Sequence, residues 1–181
     1  MRRVLIRSAT PEDWDAYRAA FESVAAEGRW IGTELPIDWD ARRPGFGTTV
    51  ASDRHLLLLA TPEGSDVIVG WAYAEHATSG QASLGMGIVD GYRSAGLGTR
   101  LLTGVIEWAR RQGAHKVVLE VWPHNTRAIG LYEKLGFVIE ARFRRHWRRR
   151  DGSLWDALAM GLVLDEDAPG GPPSEPGDGA G

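Results

Sequence analysis

The sequence predicts one mixed α/β domain, a sheet with flanking helices over residues 1–164, followed by an acidic Gly- and Pro-rich tail over 165–181. Three observations carry this. Apolar runs of strand length alternate with segments of helical period, in the order β-α-(loop)-β-β-β-α-β-α-β-β. The clearest helix places Leu97, Leu101, Val105 and Trp108 on one stripe, with Leu102, Ile106 and Ala109 beside it. Two strand runs, His55 to Thr61 and Val67 to Ala77, are separated by Pro62-Glu63-Gly64-Ser65-Asp66, which argues a hairpin.

Each element has a local reason. Val4-Leu5-Ile6 is a short strand. Thr10-Pro11-Glu12-Asp13 then starts a helix, with Thr10 as cap, Pro11 at the first helical position and two acids at the positive end of the dipole. Trp14, Tyr17, Phe21, Val24 and Ala25 give that helix one apolar face, and Gly28 ends it. Arg29 to Val50 holds Pro36, Pro44, Gly45 and Gly47 and is predicted as a loop with at most short helical pieces. The third strand of the central run is Ser83 to Val89, and Lys116 to Val121 is another. Asn125 caps a helix to Leu135, where Gly136 and Phe137 are placed for a Schellman ending. Strands from Val138 to Trp147 and Leu154 to Val163 close the domain around Asp151-Gly152-Ser153.

The stretch Arg93-Ser94-Ala95-Gly96-Leu97-Gly98 sits where a strand gives way to the amphipathic helix. Unpaired N–H groups and a partial positive charge at a helix start hold anions, and glycines let a phosphate approach the backbone. Gly96 and Gly98 therefore mark an anion cradle. The nearby Gly85, Gly87 and Gly91 imitate a dinucleotide fingerprint, but they lie within or directly after the strand, whereas that fingerprint needs them at the turn itself.

With this order established, residues 3–164 resemble the GCN5-related N-acetyltransferase (GNAT) superfamily. Arg93 to Gly98 is similar to the family's Arg/Gln-x-x-Gly-x-Gly/Ala pyrophosphate loop, and Ile88 to Tyr92 to the strand that leads into it. Asn125, with Leu131-Tyr132-Glu133-Lys134-Leu135-Gly136-Phe137, resembles its second cofactor motif. The resemblance implies a mixed, mostly antiparallel sheet with a splayed parallel strand pair. It implies acetyl-CoA as co-substrate, its diphosphate held by Arg93, Ser94, Ala95, Gly96, Leu97, Gly98 and Thr99. The pantetheine arm and thioester carbonyl would lie on the backbone of Ile88 and Val89, with Asn125 at the cofactor. The implied reaction is direct acetyl transfer to an amine, with Tyr132 as the acid for the departing thiolate. An ammonium has no lone pair, so a base is required. Glu75, Glu34 and Glu120 are the candidates, with His76 and His124 as further ones; the acid that many members carry near Ser83 is missing here.

The acceptor is expected among Arg29 to Asp40, Trp122-Pro123-His124 and the late hairpin from Trp147 to Trp155, where Trp30, Trp39, Trp122, Trp147 and Trp155 supply aromatic walls. A primary amine of a small molecule (an amino acid, a polyamine or an amine-bearing antibiotic) is the leading acceptor. A protein N-terminus or lysine, or a catalytically silent CoA-binding regulatory module, are the alternatives. The absence of cysteine excludes disulfides, thiolate metal sites and Cys nucleophiles, and no metal site is expected. The formal charge of −3 is uneven: the tail holds Asp165, Glu166, Asp167, Glu175 and Asp178, leaving 19 of the 24 acidic residues against 21 basic ones. This balance, with Arg142, Phe143 and Arg144 alternating as in a half-wet strand, argues against nucleic acid. The tail is too polar to offset its ordering entropy and is expected to be disordered. No apolar run is long enough for a membrane span and no signal peptide is visible, so a cytoplasmic protein is expected. Family members are often dimers, which makes a homodimer through the late hairpin or sheet edge an expected partner.

Overall fold

A computed structural model describes residues 3–165. The predicted tail therefore lies outside the described residues, apart from Asp165. Seven strands form one sheet: β1 (Val4–Ser8), β2 (His55–Pro62), β3 (Gly70–His76), β4 (Gln81–Ile88), β5 (Lys116–Val121), β6 (Val138–Arg148) and β7 (Leu154–Val163). Their order is β1-β2-β3-β4-β5-β7-β6. All neighbours are antiparallel except β4 and β5. Helices α1 (Trp14–Ala26) and α2 (Trp39–Ala51) cover one face, α3 (Leu97–Arg111) and α4 (Thr126–Lys134) the other. None of these helices is long and apolar enough to cross a membrane.

Burial on both faces explains the unbroken apolar run in β2. Leu57 and Leu59 pack with Trp14, Val24, Phe46 and Trp71 under α1 and α2. Leu58 and Ala60 meet the α3 side, where Leu97, Leu101, Leu102, Val105, Ile106, Trp108 and Ala109 are all buried. The predicted helical stripe is thus the core of that layer. Asn125 caps α4 by accepting from the Ala128 N–H at 3.3 Å. Its other end is a Schellman motif: the Phe137 N–H donates to the Tyr132 carbonyl and the Gly136 N–H to the Glu133 carbonyl, both at 3.0 Å.

The segment predicted as a loop is half helix. α2 runs thirteen residues with Pro44 inside it. Asp38 caps it by accepting from the Ala41 N–H at 3.0 Å, and buried Phe46 fixes it on the sheet beside Trp14. Tertiary packing of aromatics overrides the local preferences of Pro44, Gly45 and Gly47. The first helix has the expected Thr10 N-cap with Pro11 at its first position, but it opens as a 3-10 turn. A single 3-10 turn, Pro11–Asp13, precedes α1, and it is the Asp13 carboxylate that accepts from the Thr10 N–H at 2.8 Å. The same carboxylate takes two N–H groups of Arg7 at 2.5 and 2.7 Å, tying β1 to α1.

That pairing holds the Asp13 carboxyl down at about 2, with hydrogen bonding from Arg7 as the main cause. A depressed carboxyl stabilises the fold above its unfolded pKa, and the contribution is lost as pH falls through the folded value. Asp13→Asn is expected to lower stability at pH 7 by about 1–3 kcal/mol. It should also flatten the loss of melting temperature between about pH 4 and pH 2. Melting curves across that range check both effects.

Candidate active site

β4 and β5 begin as neighbours and then separate. Their parallel register covers Gln81, Ala82 and Ser83 against Lys116, Val117 and Val118, and stops there. Past this point β5 stays paired to β7 and β4 to β3, so the sheet opens between them. Backbone parity decides which groups face the gap. Gly70 and Ile88 are opposed, and the Val89 N–H donates to the Val69 carbonyl at 3.0 Å. Ile88, and by the period of two Met86, therefore turn their own N–H and C=O groups away from β3, toward the opening. The expectation for Val89 is corrected on this ground: its N–H is committed to β3, and Met86 with the Ile88 N–H supplies the free edge, the Ile88 carbonyl being taken by Arg93.

A cavity of about 960 Å³ fills the opening. Met86 and Ile88 line one wall, Glu120, Trp122 and His124 the other, with α4 behind and the first turn of α3 at one end. Four cationic side chains line it, Arg29, Arg93, Arg127 and Lys134, against one carboxylate, Glu120. At the α3 end, Ser94 and Gly96 both hold left-handed backbone, at φ 64° and 75°. Alternation of this kind folds successive N–H groups into a concave nest, and it continues into the unpaired N–H groups of the first helical turn. Gly96 suits that φ because it has no Cβ. Gly98 is a glycine for a different reason. A Cβ there would lie 2.8 Å from the Leu131 side chain, so Gly98 lets α3 approach α4.

Of the sequence-predicted cofactor residues, Ile88, Arg93, Ser94, Gly96, Gly98, Thr99 and Asn125 line the cavity. Ala95 does not, and Leu97 is buried in the α3 core. Arg93 is not a free cation for an anion. Its Nε donates to the Ile88 carbonyl at 2.9 Å, and its two terminal nitrogens pair with Glu27, which lowers the Glu27 carboxyl pKa. Glu27 also accepts from Trp30 Nε1 at 2.5 Å. The end of α1, the end of β4 and the loop before α3 are thereby joined through one guanidinium.

Tyr132 lines the cavity from α4, 7% exposed and packed on Phe137. Burial pushes its hydroxyl up to about 12, so it keeps its proton at neutral pH. Glu120 lies across the cavity, where it accepts from Trp147 Nε1 at 3.0 Å and stands 3.8 Å from His146 Nε2. The other carboxylate candidates lie elsewhere. Glu75 pairs in register with Ser83, at the closed end of the opening, and accepts from the Tyr73 hydroxyl at 3.0 Å. Glu34 accepts from the Arg150 N–H at 3.1 Å and faces Arg149 at 3.6 Å. His76 is outside the cavity; His124 lines it with Nε2 2.8 Å from the Arg29 carbonyl.

The late hairpin also holds a buried arginine. Arg149 is buried, 4% exposed, over Trp155 at 4.5 Å and near Trp122 at 5.6 Å, and it donates to the Gly32 carbonyl at 3.0 Å. It fastens the α1–α2 connection to the hairpin. Trp122 and Trp155 meet edge to face beside Arg149, and Trp122 also lines the cavity together with Trp147.

Comparison with known proteins gives a consistent picture. A family model described as the acetyltransferase (GNAT) family matches residues 12–137. The L-methionine sulfoximine/L-methionine sulfone acetyltransferase of Pseudomonas aeruginosa is 38% identical over 76 residues, which is 42% of this chain and 44% of that protein. The ribosomal protein bS18-alanine N-acetyltransferase of Escherichia coli is 38% identical over 73 residues, 40% of this chain and 49% of the other. These matches span less than half the length of either relative. Among solved structures, an acetyltransferase of the GNAT family from Streptococcus pneumoniae superposes with a TM-score of 0.78 at 28% identity, covering 90% of this chain and all of that one.

Arg93 carries a direct test of how the site is built. Arg93→Ala is expected to cost about 1–3 kcal/mol of stability, because Glu27 loses its partner. Arg93→Lys should recover little of it, since one ammonium cannot reproduce a fork shared between Glu27 and the Ile88 carbonyl. Denaturant unfolding of the three proteins measures the difference.

Proposed function

We propose a function from one premise: the chain belongs to the acetyltransferase (GNAT) family, whose model matches well over half of it. The proposed activity is acetyl transfer from acetyl-CoA to a primary amine of a small molecule, by direct attack. The observation that carries it is the opening between β4 and β5 running into the nest before α3. Acetyl-CoA has the matching parts in the matching order. Its diphosphate suits the nest and the first-turn N–H groups of α3, with Arg127 and Lys134 near. Its amide-bearing pantetheine arm suits the unpaired edge of β4, as a substitute for the missing β5 ladder.

The reaction follows from the groups around the opening. Glu120 takes a proton from the acceptor's ammonium, directly or through water; the freed amine attacks the thioester carbon, and the second proton the nitrogen loses replaces the one that Tyr132 gives to sulfur. Negative charge develops on the thioester oxygen, where the N–H groups facing out of Met86 and Ile88 are the available donors. The C–S bond then breaks as the amide forms. Tyr132 meets the departing sulfur as an O–H donor and supplies its proton. Support for Glu120 as the base is positional: among Glu75, Glu34 and Glu120 it alone lines the cavity, and Trp147 holds it there. The bS18-alanine relative makes a protein N-terminus the second reading.

Three measurements test this. Acetyl-CoA should raise the melting temperature by mass action; no rise at saturating acetyl-CoA would sink the reading. Tyr132→Phe should keep that rise while turnover, followed by thiol release, falls about 100-fold or more. Glu120→Gln should lose activity at neutral pH and regain it as pH climbs toward the acceptor amine's own pKa. An unchanged pH profile would return the role of base to another group.

A further inference from the structure

A second cavity, of about 640 Å³, lies on the α1/α2 face of the sheet. It shares Ile31, Gly85 and Met86 with the first cavity, so the two meet at the β4 edge. Its floor is Trp71 and Gly85. The Trp71 ring lies across Gly87, where a Cβ would sit 2.4 Å from it; beside it Gly85 leaves bare backbone, with open space where a Cβ would be. Phe21 packs on Trp71 at 5.1 Å and Trp39 stands edge-on to Phe21 at 5.9 Å, making a wall of aromatic faces. Only one fully charged side chain lines the chamber, Arg42, whose guanidinium lies 5.3 Å from the Phe21 ring and donates to Thr33. Among the described residues no carboxylate lines it; Glu75, just outside, is engaged by the Tyr73 hydroxyl and stands 3.9 Å from His55 Nε2. Two polar atoms in its walls, Trp39 Nε1 and His55 Nδ1, are buried without a hydrogen-bond partner among the described residues.

We infer that this chamber is the acceptor site, and that it selects a primary amine on an aromatic or bulky apolar body whose remaining charged group is an anion. The inference rests on the acetyl-transfer reading above and adds the acceptor's chemical class. Aromatic walls reward a planar apolar body by burial and edge contacts. A chamber with a cation and no carboxylate repels the second positive charge of a diamine or polyamine, and attracts a carboxylate. The shared Gly85–Met86 edge gives the amine access to the gap in which the thioester would lie. Of the acceptors the sequence left open, polyamines and polycationic antibiotics are thereby disfavoured.

The test compares 4-(aminomethyl)benzoate, benzylamine, spermidine and an alanine-ended peptide in thiol-release assays with saturating acetyl-CoA. The aromatic acid is expected to have the highest kcat/KM, with spermidine at least tenfold below benzylamine. Arg42→Ala should reduce kcat/KM at least tenfold more for the acid than for benzylamine. Gly45→Leu fills the chamber from α2, where Gly45 has open space and lies outside the first cavity. It should raise the KM of both aromatic amines at least tenfold while acetyl-CoA still raises the melting temperature. Preference for spermidine or the peptide, or an unmoved KM in Gly45→Leu, overturns the inference and leaves the acetyl-CoA reading standing. Calorimetric binding of 4-(aminomethyl)benzoate without acetyl-CoA decides the matter independently. Binding that Gly45→Leu abolishes supports the chamber even if acetyl-CoA fails to stabilise the protein, and no binding to the unsubstituted chain counts against it.

Discussion

The site depends on one broken ladder. β4 and β5 share three residues of parallel register and then part, while each keeps its antiparallel neighbour on the other side. A strand that loses one partner keeps its fold if the other ladder and both faces remain packed. Here α3 packs under the sheet and α1 and α2 above it, so the opening costs hydrogen bonds along two strands without exposing the core. Unpaired backbone groups inside a protein demand a partner. In this fold that demand is directed at whatever occupies the opening.

The opening has different surroundings on its two sides. Toward α3 and α4 it meets a backbone nest and several cations, an environment for a polyanion. Toward α1 and α2 it meets aromatic rings, a single arginine and the bare backbone of Gly85. Tyr132 belongs to the first side, and burial raises its hydroxyl still further above neutral pH. Arg93 and Arg149 hold these surroundings together from within: one ties α1 to the loop before α3, the other ties the α1–α2 connection to the late hairpin. Their charges serve the scaffold. Each has its partners already, whereas Arg127 and Lys134 at the cavity wall have no side-chain partner among the described residues.

Much of this was legible from local pattern. The α3 stripe, the hairpin, the Asn125 cap and the Gly136–Phe137 ending depend on neighbours within a few residues, and the structure has each of them. α2 was not legible, because its stability comes from Phe46 and Trp39 packing on rings from α1, and its own Pro and Gly content argues the other way. Gly98 looked like a phosphate glycine and is also a packing glycine, since Leu131 approaches it from another helix. Val89 was assigned to the free edge, and a shift of one residue in a strand reverses which way its backbone groups point. Nothing in a short motif fixes that parity. The pairing of Gly70 with Ile88 does.

The sequence by itself determined the order of elements, the glycine turn at the head of α3 and the resemblance that named the donor chemistry, because all three are properties of adjacent residues. Tertiary structure decided which carboxylate reaches the opening, which arginines are occupied and where aromatic side chains gather into a chamber. Glu34, Glu75 and Glu120 are equivalent as letters. Register places Glu75 at the closed end of the gap, the late hairpin claims Glu34, and only Glu120 is left at the wall. Those are contacts between residues far apart in the chain, and their geometry is set by strand pairing and side-chain packing, which local propensity does not contain.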